Sequence, residues 1–137
     1  SLTEGLATIN TGEIILVSPK DYEPDMALFK GAKYTDNTES ALRNADVIVT
    51  LRVQKERMEN ETQFIDLSQY YKDYGLTSKR LELCKKDAIV MHPGPMNRGV
   101  EIENIVADGP QSVITEQVTN GIATRMAILS IIENSVV

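Results

Sequence analysis

Ala88-Ile89-Val90-Met91-His92-Pro93-Gly94-Pro95 decides how this chain folds. Four apolar residues, too few for a helix and bounded by turn formers, read as a buried strand. The strand meets two prolines around one glycine, where the backbone cannot extend a ladder and must turn. An X-Pro bond is also the one common setting for a cis peptide. A stiff, kinked loop at the carboxyl end of a buried strand is where open parallel sheets place ligands. A second such junction lies upstream: the apolar run 45–51 passes directly into Arg52-Val53-Gln54-Lys55-Glu56-Arg57. Two strands that both end in polar chemistry suggest one site between them.

Outward from these junctions, strands alternate with helices. Helical spacing over 1–10 is followed by an apolar strand over 13–18 and, after a connector with Pro24 and Gly31, a short strand over 32–34. Asp36 and Glu39 have capping-box spacing ahead of a short helix. A helix over 66–74 is expected to end at Gly75, and Thr77 to cap another that runs to Lys86. A short helix is expected over 101–107, and 112–115 is a candidate for a strand to follow the three strong ones. A terminal helix carries Val118, Ile122, Met126, Leu129 and Ile132 on one face, with Thr119 or Asn120 as its cap. No hairpin signal separates the strands. The pattern predicts an α/β fold, a doubly wound parallel sheet with helices on both faces, in a single domain spanning 1–137.

The chain has 137 residues, 42% hydrophobic and 25% charged, with net charge −6. That balance suits a globular domain and argues against general nucleic-acid binding. No apolar run approaches the roughly 20 residues of a membrane helix, and 1–10 lacks the pattern of a signal peptide. Cys84 is the only cysteine, so no internal disulfide forms, which fits a reducing, cytoplasmic setting. Beside Leu81 and Leu83 it reads as core filler.

In extended chain, residues i and i+2 face the same way, so Arg52 and Gln54 address one spot. A guanidinium fork matches a carboxylate through two parallel bonds, and an amide can serve the same carboxylate or a nearby ammonium. The pair suits a small amino acid with an extra carboxylate, with Glu56 or Glu59 holding Arg52; taken alone, a solvated charge run at a loop start is the simpler reading of these residues. At the other loop, carbonyls exposed by Pro93 and Pro95 can accept from an amide, and Gly94 permits close approach. Arg98 and Glu101 are candidates to pair with each other or with Arg57. His92, the only histidine, has the chemistry of a general base, but a histidine bonded to backbone beneath a tight turn is the simpler reading. Nothing accompanies it that would make a metal site, and no glycine-rich phosphate fingerprint follows the first strand.

Four runs, LRVQKERM, YGLTSKR, IVMHPGPMNRGVEI and NGIATRMAIL, resemble in order the aspartate-binding half of the aspartate carbamoyltransferases, over about 45–129 and more weakly over 4–19. The ornithine enzymes carry a cysteine in the His-x-x-Pro loop and lack this Arg-x-Gln, so Pro93 with Arg52 and Gln54 favours aspartate. The resemblance implies that Arg52 binds the side-chain carboxylate of L-aspartate and that Gln54 lies near its backbone groups. It implies further that Pro93, Gly94 and Pro95 contact the carbamoyl group of carbamoyl phosphate across a cis Gly94–Pro95 bond. His92, Glu56 and Arg98 would support them. It implies no metal, no cofactor, a homotrimeric parent, and a terminal helix that crosses to a second domain.

The family's enzymes are about twice as long. Their first half carries a Ser-Thr-Arg-Thr phosphate loop, a histidine that polarises the carbamoyl carbonyl, and a lysine and serine lent by a neighbouring subunit. None of these is in this sequence, nor is the His-Ser-Arg segment expected just ahead of Ser1. The expectation is an aspartate domain without its carbamoyl-phosphate domain, holding no catalytic residue of its own and inactive alone. The alternative is a freestanding α/β module that binds a small acid or a protein partner without catalysis.

Overall fold

The computed structural model describes residues 2–54 and 66–134. Its elements in chain order are α1 (Leu2–Thr8), β1 (Ile14–Val17), β2 (Ala32–Thr35), α2 (Thr38–Leu42), β3 (Val47–Val49), α3 (Leu67–Tyr74), α4 (Ser78–Leu81), β4 (Ile89–Met91), α5 (Asn104–Ala107) and α6 (Ile114–Asn134). Two 3-10 turns, Lys20–Tyr22 and Met26–Leu28, make the crossover from β1 to β2.

All strand pairing is parallel, as the alternation of strands and helices demands. The ladders form two pairs: β1 with β2, Ile14 opposite Ala32, and β3 with β4, Val47 opposite Ile89. The expected fourth strand reduces to one parallel bridge, Val90 to Ser112, closed by Val90 N–H to the Gln111 carbonyl (2.8 Å) and Val113 N–H to the Val90 carbonyl (3.0 Å). Ile114 already belongs to α6. A short apolar run such as Val113-Ile114 cannot be told from a buried first helical turn by periodicity.

The core sits against the second pair. Leu42, Leu76, Val90, Ile102, Val106, Ala107 and Ile114 are buried together, and Ile48, Leu81, Leu83, Cys84 and Met96 pack onto them. Ile102 and Val90 are wholly inaccessible. Leu76 ties the long loop after β4 to the core: its N–H bonds the Glu101 carbonyl and its carbonyl accepts from Glu103 N–H, both at 3.0 Å.

The caps show how local sequence sets these boundaries. The Asp66 carboxylate accepts from Ser68 and Gln69 N–H at the start of α3, and Gly75 closes it. A Cβ on Gly75 would stand 2.7 Å from the Tyr71 carbonyl oxygen, so only glycine fits there. Thr77 caps α4, which ends at Leu81 rather than near Lys86. Ahead of α2 the cap is Asn37, whose side chain accepts from Ser40 N–H, one residue beyond the Asp36 of the expected capping box. Both residue types cap well, so spacing leaves a one-residue ambiguity.

Along α6 only Ile114 is buried. Ile122, Met126 and Leu129 are 53%, 66% and 67% exposed, so the apolar face expected of this helix is uncovered in the described chain. The helix begins before the caps expected at Thr119 or Asn120; the Thr119 hydroxyl instead donates back to the Thr115 carbonyl. No described helix is long and apolar enough to cross a membrane.

Candidate functional site

Because β3 and β4 are parallel neighbours, their carboxyl ends emerge side by side. Thr50 N–H still bonds the Met91 carbonyl at 3.0 Å; beyond it the two chains separate into the loops that the sequence singled out. Val53 is buried, Arg52 is exposed and Gln54 is half-buried. Alternation thus places Arg52 and Gln54 on the side opposite the one that Val53 buries.

The turn after β4 is built around His92, which is wholly buried. Its Nδ1 accepts from Gly94 N–H at 2.8 Å. Nδ1 therefore carries no proton, and Nε2–H donates to Glu101 Oε1 at 3.3 Å. The His92 backbone N–H reaches Gln117 Oε1 of α6 at 3.0 Å. With one ring nitrogen under the turn and the other on a carboxylate, His92 orients the loop and is no exposed base. Above it Pro93, Gly94 and Pro95 face solvent, Gly94 with φ 65 and the Gly94–Pro95 bond cis, as expected. A Cβ on Gly94 would meet nothing within 4 Å. The carbonyls of this exposed segment are hydrogen-bond acceptors at the surface.

Glu101, 3% exposed, is the hub. Oε1 accepts from His92 Nε2–H and from Asn97 N–H, and Oε2 lies 3.5 Å from Val53 N–H. Asn97 adds a second link, its side-chain amide donating to the Val53 carbonyl at 2.9 Å. Tyr70, stacked on Tyr74 at 5.4 Å, lies close enough to sense Glu101: burial first, then the Glu101 charge, holds its phenol above the ordinary value. The expected pairing of Arg98 with Glu101 is not formed. Arg98 forms a fork with Asp108, both bonds 2.7 Å, because the turn at Gly99 sends its side chain outward while Glu101 points in. Glu56, Arg57 and Glu59 lie outside the described residues. Asn97 went unnoticed in the sequence, where an asparagine inside a proline-rich loop signals a turn as readily as a tie.

What fold and loops define is an α/β domain in which two polar loops lie side by side at the carboxyl edge of two parallel strands, the edge where open parallel sheets place ligands. Residues 1–132 match the family described as "Aspartate/ornithine carbamoyltransferase, Asp/Orn binding domain". The aspartate carbamoyltransferase catalytic subunit of Ruthia magnifica subsp. Calyptogena magnifica is 50% identical over 131 residues, covering 96% of this chain and 41% of that protein. That of Legionella pneumophila (strain Lens) is 50% identical over 121 residues, covering 88% and 40%. Among solved structures, the ornithine carbamoyltransferase of Burkholderia thailandensis E264 superposes with a TM-score of 0.76 over 93% of this chain and 41% of that one; at 21% identity this likeness speaks for the fold. The aspartate transcarbamoylase of Trypanosoma cruzi in complex with phosphate superposes at 0.68 with 30% identity, over 85% and 40%. This chain belongs to the aspartate/ornithine carbamoyltransferase family and spans its Asp/Orn-binding domain, about two fifths of the length of the curated relatives it matches.

Proposed function

We propose that the chain is the aspartate-binding part of an aspartate carbamoyltransferase, which joins carbamoyl phosphate and L-aspartate into N-carbamoyl-L-aspartate and phosphate in pyrimidine biosynthesis. The observation that carries this reading is the meeting of Arg52-Val53-Gln54 with His92-Pro93-Gly94-Pro95 at one strand edge, tied through Val53 to Asn97 and Glu101. Arg52 takes the side-chain carboxylate of aspartate and Gln54 its backbone groups. The surface of Pro93, Gly94 and Pro95 accepts from the carbamoyl NH2, with His92 beneath it and the Arg98–Asp108 fork bracing the loop. The attacking group is the aspartate amine; its electron pair forms the new C–N bond, the C–O bond to phosphate breaks, and the proton lost from the nitrogen passes to the leaving phosphate. Positioning and stabilisation of the developing oxyanion do the catalytic work, without a covalent enzyme intermediate, metal or cofactor.

Phosphate-binding groups are supplied, on this reading, by a carbamoyl-phosphate domain, in a cytoplasmic homotrimeric parent whose subunits share each site. A two-substrate site split in this way leaves the 137 residues by themselves without carbamoyl-aspartate synthesis. It also bounds affinity: one bidentate arginine contact and one amide bond contribute about 2–4 kcal/mol, whereas a dissociation constant of 1 mM needs about 4.1 kcal/mol. Titration of the ¹⁵N-labelled chain with L-aspartate should shift amides of 50–54 with millimolar or weaker affinity, and Arg52→Ala should abolish the response. Binding unchanged in Arg52→Ala refutes the reading, and micromolar binding by the chain alone would favour the freestanding module.

A further inference from the structure

We infer that Asn97 is a positioning residue for the aspartate subsite: through the Val53 backbone it sets where Arg52 and Gln54 stand, so that the carbamoyl-side loop determines the geometry of the amino-acid side. The inference rests on the reading given above.

Val53 is the single residue between Arg52 and Gln54, and both of its backbone polar groups are engaged by the loop after β4. Its carbonyl accepts from Asn97 Nδ2 at 2.9 Å, and its N–H faces Glu101 Oε2 at 3.5 Å. By distance the first link is a full hydrogen bond and the second a marginal one. Asn97 is itself fixed, because its N–H donates to Glu101 Oε1 and its carbonyl accepts from Val100 N–H at 3.1 Å. Glu101 in turn holds the His92 ring beneath the Pro93–Gly94 turn. The contacts therefore run from the acceptor surface through His92, Glu101 and Asn97 to the peptide that carries Arg52 and Gln54. Among the described residues the side-chain amide of Asn97 bonds the Val53 carbonyl, while its backbone N–H holds Glu101, so truncating the side chain tests the Val53 link and leaves the backbone link in place. The polarity also matters. A carbonyl needs a donor opposite it, which asparagine supplies and aspartate does not.

The test compares the wild-type chain with Asn97→Ala, Asn97→Asp and Arg52→Ala by ¹⁵N NMR titration with L-aspartate at constant ionic strength. Unfolding midpoints and the His92 ring ¹⁵N spectrum are recorded alongside. Asn97→Ala should weaken aspartate binding about fivefold or more while the Nε2–H signature of His92 stays. Asn97→Asp, nearly isosteric, should fail to rescue and should bind at least as weakly as Asn97→Ala. A residue that only fills space would be rescued by aspartate, and one that only stabilises the fold would lower the midpoint without changing affinity; either result overturns the inference. Wild-type affinity in Asn97→Ala, with Arg52→Ala still abolishing binding, overturns the inference alone. No response of 50–54 in the wild-type chain overturns the aspartate reading, and the inference with it.

Discussion

Removing the Glu101 carboxylate gives the sharpest test of how the two loops are held. In Glu101→Ala the His92 Nε2–H and the Asn97 N–H lose their common acceptor at a site 3% exposed, while the contact with Val53 N–H, at 3.5 Å, contributes little. A buried donor left without a partner costs about 1–3 kcal/mol, so two of them cost about 2–5 kcal/mol after partial relaxation. That is a large share of the roughly 5–15 kcal/mol that stabilises an ordinary domain. In Glu101→Gln the amide oxygen can keep both donors, but it carries no charge and the new NH2 faces Val53 N–H, which lowers the cost to about 1–3 kcal/mol. The chain has no tryptophan, so urea unfolding is best followed by far-ultraviolet circular dichroism. The expected order is wild type, then Gln, then Ala, with Glu133→Ala on the exposed face of α6 within about 0.5 kcal/mol of wild type. An Ala variant as stable as the Glu133 control would mean that the buried carboxylate is no hub, and a Gln variant equal to wild type would mean that its second oxygen is idle.

Three further outcomes are open to measurement. The Ser78 backbone N–H and hydroxyl both donate to Glu103, each at 2.7 Å, and hold its carboxyl below the ordinary value. Its contribution to stability is therefore present above the unfolded-state pKa and is lost as pH falls through the lower folded-state value. Ser78→Ala should move the Glu103 titration, read by carboxyl ¹³C NMR, upward toward an ordinary glutamate. Burial pushes the Cys84 thiol up, so at neutral pH a thiol reagent should label the folded chain more slowly than the urea-unfolded chain, and equal rates would place Cys84 outside the core margin. Met126→Gln and Leu129→Gln, on the uncovered face of α6, should leave the unfolding midpoint within about 0.5 kcal/mol of wild type and reduce binding of an apolar dye. A loss above 2 kcal/mol would mean that this face is packed.

Where apolar pattern and turn chemistry coincide, the fold was legible. Ala88 to Met91 ahead of Pro93, the Asp66 and Gly75 boundaries of α3 and the Thr77 cap all follow from short-range sterics and hydrogen bonding that residue type dictates. The cis Gly94–Pro95 bond is instead expected from the family resemblance, since local sterics alone favour trans. The exposure of Ile122, Met126 and Leu129 follows from the periodicity of α6 joined to the resemblance. What local pattern could not supply was partner choice between distant loops. In the sequence Arg98 has a carboxylate three residues on at Glu101 and another ten residues on at Asp108, and only the fold of the loop decides between them. Asn97 and Val53 are 44 residues apart, and nothing in either segment names the other. Val113-Ile114 failed for a different reason: two β-branched residues beside a serine suit a strand by propensity, but tertiary context makes Ile114 the buried start of a helix.

Helix α6 has a mechanical consequence. Its first turn is rooted in the domain: Ile114 lies in the core and Gln117 accepts from the backbone N–H of His92, while the residues beyond are exposed but for Gly121. From Gln117 to Asn134 the axis runs about 25 Å at 1.5 Å per residue. A long rod pivoting on a short root is a lever. A tilt of about 5° displaces its far end by about 2 Å over that length, while the root moves by only a fraction of an ångström. Forces applied along the apolar length of α6 therefore arrive, geared down, at the peptide that carries His92, a position where small displacements are the ones that matter.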